Sequence, residues 1–448
     1  MTDVDALFPL GSSLLDIAER WIAMLDRSVG WERVVADCFR ITLGQMNPTV
    51  GAFAENVAKA KAVWEAGRAV GSDFVMLPEM FLTGYQVQDL VMKPAFTRDA
   101  MAHVEAMAAE LVDGPALGIG APHLSDKGLF NAYYVLARGQ VRSVILKHEL
   151  PNDTVFDEKR VHDVTDISGP YAISGVRLGS PICEDAWHPG VPEALEESGA
   201  EILCVPNGSP YDREKFDLRM TQMVARVVET GLPLVYLNMV GGQVDQVFDG
   251  ASFVLNPGGA LAVQLPAFDE AIAHVDFERG PEGWRALEGK RERRPDVREQ
   301  DYRAMVQGLR DYMGKTGFKK VLLGLSGGVD SALVATIAAD ALGPENVRGV
   351  MLPSEYTSDV SLEDAKATAE KLGIALDTVS IAGPRAAVTD ALAPLFEGLE
   401  PGLTEDTIQS RLRGLLLMAH SNKFGEMLLT TGNKSEVAVG YATIYGDM

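Results

Sequence analysis

Ser326–Gly327–Gly328–Val329–Asp330–Ser331 stands between Val321–Leu322–Leu323–Gly324–Leu325, an apolar run of strand length, and Ala332 to Leu342, which reads as a helix. A glycine-rich turn from a buried strand into a helix start lets the backbone approach a ligand closely, and the free N–H groups of the first helical turn point at it. The helix dipole adds partial positive charge there, so phosphate is the guest this geometry favours. Gly-x-x-x-x-Gly-Lys-Ser/Thr does not occur in the chain, and no lysine follows the glycines, so this is not a Walker loop. A plain strand–helix turn is the competing reading; Ser at both ends and Asp inside favour a ligand site. Arg348 to Pro353 and Leu376 to Ile381 read as further strands, and Ser361 to Leu372 as a helix with Ser361 as its N-cap. A doubly wound parallel sheet with the loop at its first strand–helix turn is the expected fold of this half.

Working outward, 448 residues exceed one ordinary core, and two domains are expected. The composition, 47% hydrophobic and 23% charged, is that of a soluble globular chain. No apolar run approaches the ~18–20 residues of a membrane span, and no cleavage-site pattern follows Ser12 to Leu25. Three cysteines, Cys38, Cys183 and Cys204, form no disulfide framework and no metal-ligand spacing, which fits a reducing, cytoplasmic setting. A net charge of −23 argues against nucleic-acid or anionic-membrane partners and leaves room for small phosphate-bearing substrates in a local pocket. The expected division is a leader at 1–38, an α/β domain at 39–277, a solvated charged linker at 278–300 and the loop-bearing domain at 301–448.

In the 39–277 segment apolar strand-like runs alternate with helical spacing. Glu79 follows Phe74–Leu77, Lys147 follows Val144–Leu146, and Cys183 follows the run that begins at Val176. Strand ends are where α/β folds place working side chains. A thiol beside a carboxylate and an ammonium is a nucleophile set: the carboxylate takes the thiol proton and the lysine holds the oxyanion. Each residue singly could as well be inert core or a solvated rim residue.

Three segments carry a resemblance: Leu77–Pro78–Glu79–Met80–Phe81–Leu82–Thr83–Gly84–Tyr85, Lys147–His148–Glu149–Leu150–Pro151–Asn152 and Pro181–Ile182–Cys183–Glu184–Asp185–Ala186–Trp187. In this order they resemble the signatures of the nitrilase, or carbon–nitrogen hydrolase, superfamily. The resemblance implies an α-β-β-α sandwich with Glu79 as general base, Lys147 stabilising the tetrahedral intermediate and Cys183 forming a thioester. It also implies that Ser209 and Lys215 hold a glutamine substrate. Asp153 stands where the glutamine-using branch has a tyrosine, and could reach the amino group of glutamine.

Ser-Gly-Gly-x-Asp-Ser resembles the pyrophosphate loop of the N-type ATP pyrophosphatases. With Gln409-x-Arg411-x-Arg413–Gly414, Thr431–Gly432–Asn433–Lys434–Ser435–Glu436 and Tyr445–Gly446–Asp447–Met448, it is similar to the glutamine-dependent NAD synthetases. On that resemblance Gly324, Leu325, Ser326, Gly327, Gly328, Val329, Asp330 and Ser331 cradle ATP with Thr431. Thr407, where the family has Asn, and Glu436 contact deamido-NAD, and Asp330 and Glu436 hold Mg2+. The implied reaction hydrolyses glutamine and uses ATP to adenylate deamido-NAD, which ammonia converts to NAD; a homo-oligomer is implied as well. The family's second domain runs on for roughly another hundred residues, in keeping with usual domain lengths, so an incomplete, C-terminally truncated synthetase domain is expected. The rival expectations are another glutamine-fed ATP pyrophosphatase, which would carry a different amidotransferase half, and an amidase or binding subunit with a non-functional second domain.

Overall fold

The computed structural model describes residues 37–400, 402–444 and 446. The expected leader, apart from its last two residues, and Tyr445, Asp447 and Met448 lie outside the described residues. The first body contains β1 (Cys38–Gln45), β2 (Phe74–Met76), β3 (Ala116–Ser125), β4 (Gly128–Ala137), β5 (Gln140–Leu146), β6 (Tyr171–Ile173), β7 (Val176–Gly179), β8 (Ile202–Asn207), β9 (Leu234–Asn238), β10 (Val240–Gln243), β11 (Gln246–Asp249), β12 (Phe253–Asn256), β13 (Ala260–Gln264), β14 (Ala271–Gly280) and β15 (Gly283–Ala286). Its helices are α1 (Phe53–Ala69), α2 (Pro94–Glu110), α3 (Glu158–Val161), α4 (Gly190–Glu197) and α5 (Lys215–Thr230).

Two sheets form, in the orders β15-β14-β1-β2-β3-β4-β5 and β13-β12-β9-β8-β7-β6, with β10 and β11 as a separate hairpin. Side chains on a strand alternate between faces, and β1 shows the result. Phe39, Ile41 and Leu43 enter the layer between the sheets beside Leu178, Cys204, Val235 and Leu237. Thr42 faces the other way and bonds Ser72. Each fully buried Leu, Ile or Phe of that layer contributes about 1.5–3 kcal/mol. On the outer faces, Ala60, Val63 and Trp64 of α1 and Val104 of α2 cover the first sheet. Leu195 of α4 and Met223 and Val227 of α5 cover the second. The result is the α-β-β-α sandwich.

The second body contains α6 (Val297–Thr316), β16 (Val321–Gly324), α7 (Val329–Leu342), β17 (Val347–Met351), α8 (Asp359–Leu372), β18 (Ala375–Thr378), α9 (Ala382–Leu392), α10 (Leu403–Phe424), β19 (Met427–Leu429) and α11 (Lys434–Val439). Its four strands are parallel in the order β18-β17-β16-β19. The order reverses at β16, so the loop after β16 sits at the switch point where such sheets bind ligands.

Three expectations are corrected. The segment 278–300 is not a solvated linker: β14 runs to Gly280, β15 follows, and Trp284 is buried. Beyond β15 the chain pairs with β13, with Gly289 N donating to Ala262 O at 3.1 Å, Gln264 N to Lys290 O at 3.0 Å and Glu292 N to Gln264 O at 3.0 Å. The charges on this stretch concealed backbone groups that β13 needs as partners. Next, α8 is capped by Ser358, whose Oγ accepts from Ser361 N at 3.2 Å. The helix reaches one turn further back than Ser361, and of two serines the earlier takes the cap. Lastly, the spacing of Leu412, Leu415, Leu416 and Ala419 in the sequence predicts a helix with that face buried, whereas α10 buries Leu412, Gly414 and Leu417. Leu417 packs beneath the sheet on Leu322 and Val350, which leaves Leu415 exposed.

Candidate active sites

Glu79, Lys147 and Cys183 stand just past the carboxyl ends of β2, β5 and β7, and all three are buried. Lys147 Nζ donates to Glu79 Oε1 at 2.8 Å and to Glu158 Oε2 at 2.8 Å. Glu158 opens α3 and is a second carboxylate that sequence reasoning missed. Asn131 Nδ2 donates to Glu79 Oε1 at 2.8 Å and to Glu158 Oε1 at 3.3 Å. Tyr85 Oη donates to Glu158 Oε1 at 2.7 Å, and Gly208 N to Glu79 Oε2 at 2.8 Å. Nothing in the sequence singled out Glu158, because Glu149, Asp153 and Asp157 stand in the same stretch after the lysine.

The electrostatics divide the labour. Burial raises the pKa of Glu79 against the pull of Lys147. Burial would raise Glu158 too, but the Lys147 charge, with hydrogen bonds from Lys147 and Tyr85, brings it below the usual range. Burial disfavours the Lys147 ammonium, yet Glu158 and Glu79 together hold its pKa well up. Glu158 is thus the standing counterion of a charged lysine, and Glu79 keeps the basicity a proton acceptor needs. Burial and the Glu79 charge push the Cys183 thiol well up, so it rests protonated. Such a thiol reacts by passing its proton to a neighbouring base as the sulfur attacks.

Asp185, two residues after Cys183, ties the cysteine turn to the lysine strand. Its Oδ1 accepts from His148 N at 3.0 Å and Glu149 N at 2.7 Å, and its Oδ2 from Ile182 N at 2.9 Å. Burial pushes its pKa up to about 6 despite those donors. Cys183 itself has φ +50°, a left-handed conformation uncommon for a side-chain-bearing residue and characteristic of functional turns.

Of the expected glutamine-binding residues, Ser209 and Lys215 flank one loop beside this centre. Ser209 is buried; its N donates to Asn238 Oδ1 at 2.9 Å and its Oγ accepts from Arg219 Nε at 3.0 Å. Arg219 is fully buried and paired with Asp249 at 2.7 Å. Lys215 Nζ lies 4.5 Å from the centroid of the Trp187 ring, so the far end of the loop rests on the residue that follows the cysteine turn. Asp153 is exposed in the loop that leads to Glu158.

The second site is a cavity of about 1310 Å³ at the carboxyl ends of β16 and β17. Gly324, Leu325, Ser326 and Thr431 line it, with Arg411 and Arg413 of α10 opposite. Ordinary small-molecule pockets are ~300–1,000 Å³, so this one suits more than a single small ligand. Gly327 has φ +85° and lies against the Ser361 carbonyl, with no room for a Cβ. The loop is held by its own serines: Ser331 Oγ donates to Gly328 O at 3.0 Å, and Gly328 N to Ser326 Oγ at 3.2 Å. Val329 projects into solvent at the start of α7. Asn433 brings the two expected metal ligands together, donating from Nδ2 to Asp330 Oδ1 at 3.4 Å and from N to Glu436 Oε2 at 3.0 Å. Two carboxylates beside a phosphate loop fit Mg2+, which takes one or two protein carboxylates and completes its shell with phosphate oxygens and water. Thr407 donates its hydroxyl to Thr404 O at 3.0 Å, and its neighbour Ile408 is the residue that lines the cavity.

The family model of carbon-nitrogen hydrolases matches residues 40–282, and that of NAD synthases matches residues 301–448. The chain is 65% identical over 414 residues to a glutamine-dependent NAD(+) synthetase of Rhodobacter capsulatus, covering 92% of this chain and 75% of that one. It is 43% identical to the enzyme of the same name from Xylella fastidiosa, covering 92% and 76%. A solved glutamine-dependent NAD+ synthetase from Acinetobacter baumannii, in complex with adenosine diphosphate, superposes with a TM-score of 0.88 at 35% identity, covering 92% of this chain and 78% of that one.

Proposed function

Because the chain belongs to the glutamine-dependent NAD(+) synthetases, we infer that it joins two reactions. The sandwich hydrolyses glutamine to glutamate and ammonia. The second body uses ATP to adenylate deamido-NAD, which the ammonia converts to NAD with release of AMP and pyrophosphate. The observation that carries this reading is the Lys147 ammonium held 2.8 Å from both Glu79 and Glu158 in the centre that also contains Cys183.

Cys183 passes its thiol proton to Glu79 as sulfur attacks the glutamine side-chain carbonyl. Lys147 stabilises the oxyanion, Glu79 returns the proton to the departing ammonia, and water then hydrolyses the thioester. Ser209 and Lys215 hold the glutamine, with Asp153 at the mouth of the site. In the second site the backbone of Gly324 to Ser331 binds the ATP phosphates, Thr431 lies on the ATP side, and Thr407 and Glu436 meet deamido-NAD. The phosphate loop and the adenosine diphosphate bound by the Acinetobacter baumannii relative support ATP as the nucleotide. Asp330 and Glu436 would hold Mg2+, which when bound offsets charge on the departing pyrophosphate. The carboxylate of deamido-NAD is a poor acyl donor, and adenylation gives it a leaving group for ammonia to displace.

A cytoplasmic homo-oligomer is the setting this reading favours. The three cysteines are free, and among the described residues no helix is long and apolar enough to cross a membrane. Leu403, Leu415, Phe424, Val439 and Tyr441 are exposed apolar side chains of a kind that contacts between subunits cover.

The test is to supply glutamine, ATP and deamido-NAD. NAD forms in step with glutamate, and the Cys183→Ala variant makes NAD from ammonia but not from glutamine. Glutamate without NAD, or equal loss with both nitrogen donors, overturns the reading.

A further inference from the structure

Helix α6 opens the second body, yet one of its faces belongs to the first. Asp301, Ala304, Gly308, Asp311 and Lys315 follow one another at spacings of three and four and so form a single stripe. Asp311 Oδ2 accepts from Asn47 Nδ2 at 2.9 Å and from Gly242 N at 2.5 Å. Lys315 Nζ donates to Pro48 O at 2.9 Å and Gly242 O at 2.8 Å. A Cβ on Gly242 would stand 2.9 Å from the Cα of Gly308, so helix and hairpin meet backbone to backbone.

The upper end of that stripe meets the glutamine loop. Tyr211 Oη donates to Asp301 Oδ1 at 2.9 Å, and Arg213 Nε to Asp301 Oδ2 at 3.0 Å. Both donors lie between Ser209 and Lys215. Ala304, one turn on, is buried in the apolar cluster that Tyr211, Phe216 and Val247 share. The same loop is tied to the hairpin by Tyr211 N donating to Val247 O at 2.7 Å. Buried Asn238 and Arg219 hold the start of the loop at Ser209 and Pro210. Beyond it Arg213 is largely solvated and adds little, so the Tyr211–Asp301 bond, the apolar seal and the backbone bond to Val247 are what restrain the stretch from Tyr211 to Lys215.

We propose that Asp301, although it lies on a helix of the synthetase body, is a positioning residue for glutamine hydrolysis: it fixes the 209–215 loop so that Ser209 and Lys215 face the substrate. This rests on the reading of Ser209 and Lys215 as glutamine-binding residues. It means that the hydrolase site is completed by a helix that follows it in sequence. A loop released at Tyr211 still leaves Cys183, Glu79 and Lys147 in place, so the defect falls on glutamine binding and not on the chemical step.

The experiment measures glutamate release and NAD formation by the full chain, with ATP and deamido-NAD present, for Asp301→Ala, Tyr211→Phe, the double variant, Ser209→Ala and the surface control Glu299→Gln. Asp301→Ala raises KM for glutamine by about tenfold, the effect of one lost hydrogen-bond partner, with kcat within twofold. Tyr211→Phe raises KM less, and the double variant matches Asp301→Ala instead of compounding it. Ammonia-driven NAD formation and the Glu299→Gln variant are unchanged. The proposal is overturned if KM stays at the wild-type value, if kcat falls with it, if ammonia-driven synthesis declines equally, or if the two single effects multiply. An unchanged KM in Ser209→Ala instead overturns the assignment of the loop to glutamine.

Discussion

His162 follows the short helix that carries Glu158, and its buried ring nitrogens have no hydrogen-bond partner among the described residues. Burial holds its pKa at about 4, below the usual 6.5, with Glu158 pulling it up and Lys147 pushing it down. The folded protein therefore keeps the ring neutral where the unfolded chain takes up a proton. The resulting stability is present in full above pH 6.5 and is lost as pH falls from there to about 4. Its size is about 3 kcal/mol, from the worth of each pKa unit. A His162→Phe variant, compared with wild type by thermal melting across pH 7 to 4, should lose less of its melting temperature on acidification; an equal loss would show that other groups control acid unfolding. At this scale Glu79, Lys147 and Cys183 were legible because each follows an apolar run in a characteristic segment. Glu158, Asn131, Asp185 and Arg219 were not, because their importance arises only where separate elements meet around a buried charge.

Among the elements, the turn at Ser326–Ser331 was legible as a strand–loop–helix, since its glycines separate an apolar strand from a helix and Gly327 takes a left-handed backbone. Its geometry permits a sharp test. Gly327 combines a left-handed backbone with direct contact on the Ser361 carbonyl, so Gly327→Ala should displace the loop from the α8 terminus. We expect ATP-dependent NAD formation from ammonia to fall at least tenfold, while glutamate release keeps more than half of its rate; loss of both in parallel would count against two separable sites. Helix α6 was less legible. The spacing of Tyr302, Met305, Leu309 and Met313 predicts a helix, and Leu309 and Met313 do join the core of the second body, but Met305 is exposed and the helix is packed on more sides than that spacing shows. Tyr302, Val306 and Leu309 pack on Ile337, Ala341 and Leu342 of α7. The polar stripe that begins at Asp301 is equally engaged, and periodicity of apolar residues is blind to a face built from Asp, Gly and Lys.

Over the whole molecule, the order of strands and helices anticipated an α/β domain followed by a parallel sheet, because the buried runs of β8, β9 and β16 leave their mark in the sequence. The two-sheet sandwich itself was implied only by the resemblance of the segments around Glu79, Lys147 and Cys183. The manner of joining was not legible. Nothing in the charges of 278–300 announces that β15 completes one sheet or that residues 289–292 run beside another. Joined in this way, the bodies share α6, and the loop that separates Ser209 from Lys215 is braced from outside its own domain.

The pairing of residues 289–292 with β13 has a consequence for solubility. β13 is the last strand of its sheet, and an open strand edge is a template for another chain. The connector occupies that edge, acting as a guard against self-association. A protein shortened to residues 37–286 would keep its hydrolytic centre but offer β13 bare to solvent. Such a fragment should aggregate in light-scattering measurements at concentrations where one extended to residue 296 stays monodisperse, and identical behaviour of the two would mean the edge is protected by other means.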